Sequence, residues 1–313
     1  MGWIRGFRAG VGLVLGALVA GLGVMSADAV PTAVPAETRP VAADAAATSV
    51  PAPVQLPGGG QTIFPGRILV AYYGTAGTGA LGVLGEDTPD RITARLRAAA
   101  RPFAAAARDV QIVYELIVTV ADPSPGPDGD YNHDIEHAAV KRYIAAAHRN
   151  NALVVLDLQP GRSDFLTVAK RWAWALRDPW VGLALDPEWR MQPGQVPGRV
   201  IGQVTAEEVN QVSRWLQRLT VRRQLPQKVF VLHQFRTDMI RGIEQVRNRT
   251  QLATVQHVDG FGTPGQKLAT YRSVSRPEQF AMGFKLFYDE DTALMTPARV
   301  LAVRPRVRFI SYQ

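Results

Sequence analysis

Leu183-Ala184-Leu185-Asp186-Pro187-Glu188-Trp189 is an apolar stretch that ends in two carboxylates on either side of a proline. The stretch shows no alternation of polar and apolar residues, which is typical of a strand buried on both faces of a parallel sheet. The proline holds Asp186 in an extended backbone, which suits the end of a strand and suits a structural turn equally well. Eight segments have this form, at residues 68–73, 111–120, 153–158, 181–185, 228–234, 252–258, 281–288 and 307–312.

Amphipathic segments separate the predicted strands. One begins at Pro89 and carries Ile92 and Leu96 on one side, and another opens with Thr205 and Glu208 at the spacing of a capping box. Alternation of strands with amphipathic helices predicts repeated strand–helix–strand units and a parallel sheet. The remaining predicted helices cover 135–148, 165–176, 238–247 and 265–274, and none follows the last strand.

Eight such units predict a single (β/α)8 barrel of the TIM type that lacks its last helix, over residues 65–313. About 250 residues is the usual size of one such barrel. An open, doubly wound α/β sheet is the alternative, because it is built from the same units in smaller number.

The amino-terminal region predicts export. Residues 1–29 combine Arg5 and Arg8, an apolar run and a small-residue cleavage site at Ala27-Asp28-Ala29, which are the parts of a signal peptide. Residues 30–64 are rich in Ala and Pro and predict a disordered or semi-rigid linker. We therefore expect a secreted or envelope-associated protein that meets a membrane only through an uncleaved signal segment, which is the alternative to cleavage.

Composition excludes several classes of protein. The chain contains no cysteine, so it has no disulfide framework and no thiolate nucleophile or ligand. Its net charge is +8, with many arginines on predicted helix faces. Such charges are usually solvated surface, and the alternative is that they favour anionic wall polymers or membrane surfaces as partners. No zinc knuckle or recognition helix accompanies this charge, so a nucleic acid partner is not expected.

Polar residues follow or end most of the predicted strands. In a barrel these positions converge on the carboxyl-end mouth, where such enzymes carry their active sites. Each residue alone could instead cap the next helix or turn. The residues are Tyr72, Tyr73, Asp122, Asp157, Gln159, Asp186, Glu188, His233, Gln234, His257, Asp259, Lys285 and Tyr288.

Asp186 and Glu188 are the most specific pair among them. Residues i and i+2 of a strand point the same way, so both carboxylates would face the lumen, with Asp157 on the neighbouring strand. Like charges this close raise one pKa and leave one proton donor and one anion. Glycoside hydrolysis needs this combination of an acid and a base or nucleophile. We therefore predict Glu188, Asp186 and Asp157 as catalytic residues.

The segment 183–189 resembles the fourth strand of TIM-barrel glycoside hydrolases, including the chitinase-like group. The resemblance implies that Glu188 is the general acid and Asp186 its supporting carboxylate. The earlier acidic positions of the chitinase motif are Val181 and Ala184 here, so the match does not extend to substrate-assisted chitinase chemistry. The expected substrate is an extracellular or cell-envelope polysaccharide. Predicted substrate-binding residues are Tyr72, Tyr73, Trp189, His233, Gln234, Asp259 and Tyr288.

The sequence leaves two other functions open for the predicted barrel. A non-catalytic barrel would bind wall glycan without a competent carboxylate pair. A metal-dependent hydrolase would draw its ligands from His133, Asp134, Asp157, His233, His257 and Asp259.

No cofactor is expected. The glycines at 77, 79 and 82 have dinucleotide-fingerprint spacing, but Gly85, Asp87 and Pro89 delay the helix that a true fingerprint requires. The chain also lacks the Gly-x-Ser-x-Gly elbow of serine hydrolases.

Overall fold

The computed structural model describes residues 53–107 and 109–313. The predicted signal peptide, and the predicted linker as far as residue 52, lie outside the described residues. Within the described ranges, no helix combines the length and the apolar character needed to cross a bilayer.

Eight parallel strands close into a barrel. Each strand pairs with the next along the chain, and the eighth pairs with the first, so the sheet has no open edge between them. This confirms the predicted (β/α)8 barrel and excludes the open sheet. The strands are β1 Arg67–Thr75, β2 Asp109–Ala121, β3 Leu153–Leu158, β4 Val181–Leu185, β5 Lys228–Gln234, β6 Leu252–Val258, β7 Ala281–Leu286 and β8 Val307–Tyr312.

Strand residues alternate between the lumen and the layer beneath the helices. Leu69 and Ala71 of β1 pack inside the barrel with Val113 of β2, whereas Ile68 and Val70 pack in the outer layer. This alternation follows from the period of two in strand side chains. Both faces are buried, which explains why these strands read as continuous apolar runs in the sequence.

Helices cover the outside of the barrel between most strands, and no helix follows β8 within residues 109–313, which agrees with the prediction. A short helix after β7, which the sequence analysis did not identify, adds to the predicted set. The helices are α1 Pro89–Ala100, α2 His137–Asn150, α3 Phe165–Arg171, α4 Ala206–Arg222, α5 Pro264–Val274 and α6 Pro297–Ala302.

The predicted helix at 238–247 is wrong. Ile240–Arg241 instead forms a two-residue strand that pairs with Val204–Thr205, and a 3-10 turn follows at Ile243–Gln245. Gly242 between them has φ +68°, a left-handed conformation that ends any helix. The third helix is also shorter than predicted. It ends at Arg171, whereas the prediction extended to residue 176.

Only half of the predicted capping box at the start of α4 is present. The Thr205 side chain accepts from the backbone N–H of Glu208, as predicted. The Glu208 carboxylate, however, accepts from the Phe165 N–H at 2.8 Å and from Arg190 Nε at 3.0 Å. Glu208 therefore connects Arg190, in the loop after β4, to Phe165 at the start of α3, and its side chain does not cap its own helix.

The carboxyl end of the predicted linker packs against the amino-terminal end of the barrel. Leu56 and Ile63 are 2% and 1% exposed and join the lumen cluster that contains Leu69 and Phe309. The Ile63 N–H also donates to Gln227 Oε1 at 2.9 Å, just before β5. This segment therefore closes the amino-terminal end of the lumen.

Candidate functional site

Ionisable side chains line the carboxyl-terminal half of the lumen. They occupy the inward positions of seven strands or strand ends, and each is at most 7% exposed. Parallel strands bring these positions to one end of the barrel, which is the active-site end of this fold. The set consists of Tyr73, Glu115, Asp157, Asp186, His233, His257, Asp259 and Lys285.

His233 is surrounded by three carboxylates. Its Nδ1 lies 2.8 Å from Asp259 Oδ2, and its Nε2 lies 3.1 Å from Glu115 Oε1 and 3.2 Å from Asp157 Oδ2. Burial alone would lower the pKa of His233, but the interactions with Asp157, Asp259 and Glu115 outweigh burial and raise this pKa well above its usual value. The imidazole is therefore a buried cation that offsets part of the negative charge.

Asp186 ends β4 inside the cluster. Burial raises the pKa of Asp186 well above its usual value, and the neighbouring Glu188 raises it further, whereas His233 opposes the shift. Its Oδ1 has no hydrogen-bond partner among the described residues. Asp186 therefore keeps its proton to a higher pH than an ordinary aspartate.

Glu188 lies one step nearer the mouth and is partly exposed. Burial and the charge of Asp259 raise its pKa to about 7, against the opposing effect of Lys285. A carboxyl group with this pKa exchanges its proton near neutral pH, which is the property a general acid requires.

A tight loop holds Glu188 in place. Residues Pro187–Trp189 form a single 3-10 turn, and the Gly202 N–H donates to the Glu188 carbonyl at 2.7 Å. A Cβ at Gly202 would lie 2.6 Å from the carbonyl oxygens of both Pro187 and Arg190. Only glycine permits this approach, so the returning loop fixes the backbone on which Glu188 sits.

Tyr73 and Lys285 form the opposite wall of the cluster. Lys285 Nζ lies 3.4 Å from the centroid of the Tyr73 ring, which is a close cation–π contact. Burial raises the pKa of Tyr73 well above its usual value, and the charges of Asp157 and Asp186 raise it further. Tyr73 is therefore a neutral phenol that can donate a hydrogen bond into the lumen.

His257 faces the lumen but takes no part in the carboxylate cluster. Its Nε2 lies 2.7 Å from Ser311 Oγ, and its ring meets the His233 ring edge-on at 5.1 Å between centroids. Burial lowers the pKa of His257 well below its usual value, and the positive charges of His233 and Lys285 lower it further. This imidazole is therefore neutral beside a cationic one.

Two residues predicted to bind substrate lie outside the lumen. Gln234 follows the inward-facing His233 and points to the outer layer, where it accepts from Gln256 Nε2 at 2.7 Å. Tyr72 likewise belongs to the outer layer, with its hydroxyl 3.4 Å from the Tyr288 hydroxyl. Their strand neighbours face inward, so the period of two sends these two side chains outward. The structure therefore does not bring Gln234 and Tyr72 together with the predicted site residues that face the lumen.

The other predicted aromatic residues follow the carboxyl ends of β4 and β7. Tyr288 is 41% exposed and stacks on Tyr312 at 5.3 Å between ring centroids. Trp189 is partly exposed, and its Nε1 has no hydrogen-bond partner among the residues described. Trp189 offers an aromatic surface next to Glu188 in the sequence, and Tyr288 offers one just after the end of β7.

Glu115 is the site residue that the sequence analysis missed. It is fully buried and is the only charged residue in segment 111–120. A single charge in a strand buried on both faces requires a partner or a function. A lone charge in an apolar strand was therefore the signal that could have identified Glu115. The sequence prediction considered only residues at strand ends, and Glu115 lies in the middle of β2.

The predicted metal ligands do not assemble as one set. His133 pairs with Asp122 at 2.7 Å and Asp134 pairs with Arg171 at 3.3 Å, both away from the lumen, and His257 turns to Ser311. Two other groups have ligand atoms within 4.8 Å of one another and could hold a metal ion. They are Glu115–Asp157–His233 and Asp186–His233–Asp259.

Comparison with known proteins adds no assignment to this geometry. No protein-family model matches the chain, and no curated protein matches it. The arrangement itself offers Glu188, a carboxyl group with a pKa of about 7, next to Asp186, whose pKa is also raised, and both adjoin the charged cluster around His233.

Proposed function

We propose that the barrel is a glycoside hydrolase-like enzyme that uses carboxylate acid/base chemistry. The observation that carries this proposal is Glu188, a partly exposed carboxyl group whose pKa is raised to about 7 at the rim of a buried acidic cluster. Glycosidases need one carboxylic acid that stays protonated until it meets the leaving oxygen. Glu188 has that property, and its fixed loop holds it at the mouth.

The neighbouring groups suit the remaining roles. Glu188 would donate its proton to the glycosidic oxygen as the glycosidic bond breaks, and a water molecule would then add to the sugar carbon and return a proton to Glu188. Asp186, whose raised pKa favours its protonated form, would donate a hydrogen bond to a sugar hydroxyl. Asp157 lies beside the cationic His233 and would stabilise positive charge that develops on the sugar ring. Tyr73 and Asp259 line the same space and would position the sugar.

The expected substrate is a polysaccharide outside the cell. The signal-peptide pattern of residues 1–29 supports export, and the net charge of +8 favours an anionic envelope polymer. Trp189 and Tyr288 provide flat faces near the mouth on which sugar rings can stack.

Release of reducing ends from polymers tests the proposal. The purified full-length chain is incubated with peptidoglycan, arabinogalactan, α-glucans, β-glucans and chitin, beside Glu188→Gln and the control Glu278→Gln. Glu278 is an exposed carboxylate before β7, at the end of the strand away from the mouth, so its loss should leave release unchanged. We expect release by the wild type and by Glu278→Gln, and at least a 100-fold loss in Glu188→Gln.

Two outcomes would contradict the proposal. Equal release by wild type and Glu188→Gln would remove Glu188 from the reaction. No release from any polymer by a folded chain would favour a non-catalytic glycan-binding barrel, which co-sedimentation with the same insoluble polymers would then detect.

A further inference from the structure

We infer that Glu115, Asp157 and His233 form a binding site for one divalent transition-metal ion inside the barrel lumen. The site lies among the groups of the proposed acid/base centre but does not depend on glycosidase activity. It differs from the ligand set that the sequence predicted, because it includes Glu115 and excludes His133, Asp134 and His257.

The three ligand atoms have the spacing that a metal ion requires. His233 Nε2 lies 3.1 Å from Glu115 Oε1 and 3.2 Å from Asp157 Oδ2, and all three atoms lie within 4.8 Å of one another. Ligands about 2.0–2.2 Å from a tetrahedral Zn²⁺ ion are themselves about 3.3–3.6 Å apart. A small outward movement of the carboxylates therefore makes room for the ion.

The two carboxylates of this site carry oxygens without a hydrogen-bond partner. Glu115, Asp157 and His233 are each 0% exposed. Even so, Asp157 Oδ1 and Glu115 Oε2 have no hydrogen-bond partner among the described residues, and Asp157 Oδ2 has only its 3.2 Å ion pair with His233. Buried carboxylate oxygens are almost always hydrogen-bonded or bound to a cation. A divalent ion would satisfy these oxygens and balance the two negative charges.

The orientation of His233 suits a ligand. Its Nδ1 lies 2.8 Å from Asp259 Oδ2, so the Nδ1–H donates to that carboxylate and Nε2 is directed at Glu115 and Asp157. Metal-binding histidines almost always donate their second ring N–H to a carboxylate or carbonyl in this way. The ion replaces only the proton on Nε2, and the bond to Asp259 remains.

The second group, Asp186–His233–Asp259, is less suited to an ion. Nδ1 is the His233 nitrogen that faces Asp259, and a metal ion bound to Nδ1 would break its hydrogen bond to Asp259. Two carboxylates and one imidazole favour Zn²⁺ or Mn²⁺ over Mg²⁺, because imidazole is a poor ligand for Mg²⁺.

Calorimetric titration tests the site without any substrate. The full-length chain is freed of metal with a chelator and titrated with Zn²⁺, Mn²⁺ or Mg²⁺, beside Glu115→Gln and Asp157→Asn. Asp122→Asn is the matched control, because it removes the carboxylate of a surface His–Asp pair. We expect one Zn²⁺ or Mn²⁺ per chain, at least 10-fold weaker Mg²⁺ binding, and at least 10-fold weaker Zn²⁺ binding in both lumen variants but not in the control.

The wild-type chain provides a second readout in case the lumen variants fail to fold. The protein has five histidines, so nitrogen NMR of the ¹⁵N-histidine-labelled chain resolves each ring. Zn²⁺ should move Nε2 of His233 to a metal-bound shift while its Nδ1 stays protonated. Absence of binding, or binding that leaves the His233 ring unchanged, would overturn the site. Neither result depends on glycan release, so failure here and failure of the proposed function are distinguishable.

Discussion

Asp259 Oδ2 accepts a hydrogen bond of 2.8 Å from Nδ1 of His233, between the ends of two neighbouring strands. The other nitrogen of the same ring faces Glu115 and Asp157 on β2 and β3. A single cationic imidazole therefore joins carboxylates from three other positions around the barrel. The lumen contains more buried carboxyl groups than buried cations, so this ring is central to its charge balance.

Replacing His233 by glutamine should destabilise the protein strongly. The change leaves three buried carboxylates without their shared cation, and loss of one partner of a buried ion pair costs about 3–5 kcal/mol. Urea unfolding at neutral pH measures the effect. His133→Gln is the control, because His133 forms a histidine–carboxylate pair with Asp122 at the surface. Such a surface pair should contribute less than about 1 kcal/mol to the free energy of unfolding. Equal losses in the two variants would contradict the central role of His233.

Glu188→Gln should stabilise the protein at alkaline pH. The pKa of Glu188 rises from 4.5 to about 7 on folding, so the folded state holds a proton that the unfolded state has lost between those values. Wild-type stability therefore falls as the pH rises from about 4.5 to 7, by about 3 kcal/mol for the whole shift. Glutamine does not titrate, so the Glu188→Gln variant does not lose this stability as the pH rises.

Urea unfolding at pH 4 and pH 8 measures this difference. The variant should match the wild type at pH 4 and exceed it by about 2–3 kcal/mol at pH 8. Glu278→Gln, which removes an exposed carboxylate, should show no difference at either pH. If Glu188→Gln is no more stable than wild type at pH 8, the raised pKa is contradicted.

The pH dependence of catalysis should respond to Lys285. Activity that needs protonated Glu188 falls on the alkaline side, with a midpoint at about pH 7. The positive charge of Lys285 lowers the pKa of Glu188, so Lys285→Met should move this midpoint to higher pH. Lys141→Met is the control, since Lys141 contacts Trp174 outside the barrel. A midpoint that stays the same in Lys285→Met would separate Glu188 from the alkaline limb.

The barrel could be predicted from the sequence because its strands are buried on both faces. Each strand therefore appears as an apolar run that no other element resembles, and the predicted bounds of β3 to β6 and β8 agree with the structure. The helix predicted at 238–247 is wrong for two reasons that helical periodicity does not report. Gly242 adopts a left-handed conformation, and Ile240 pairs with Val204, which is distant in the sequence.

The site was only partly predictable. Asp157, Asp186, His233 and Asp259 were found because they interrupt or follow apolar runs at strand ends. Gln234 was misplaced because two consecutive residues cannot both face the lumen. Glu115 was missed because it lies in the middle of its strand. Only the register of the closed barrel, which the sequence does not show, brings it to the same level as His233.

Gly283 should tolerate no side chain. A Cβ there would lie 2.2 Å from Nδ1 and 3.0 Å from Cα of His257, on the neighbouring strand. Gly283→Ala must therefore displace the ring that bonds Ser311, and overpacking of this kind costs about 1–3 kcal/mol. Gly66→Ala is the control, since no atom lies within 4 Å of its added Cβ, and it should change stability by less than about 1 kcal/mol. Thermal unfolding of both variants checks the contrast, which an unchanged Gly283→Ala would refute.

Ile63→Ala should destabilise the barrel although Ile63 precedes the first strand. Its side chain is 1% exposed and packs in the lumen cluster with Leu69 and Phe309, so truncation leaves a cavity at the amino-terminal end. Such truncations cost about 2–5 kcal/mol. Val54→Ala is the control at a site that is 48% exposed and should cost less than about 0.5 kcal/mol. Urea unfolding of the full-length variants compares them. If the two values agree, residues 53–64 act as a linker and do not close the barrel.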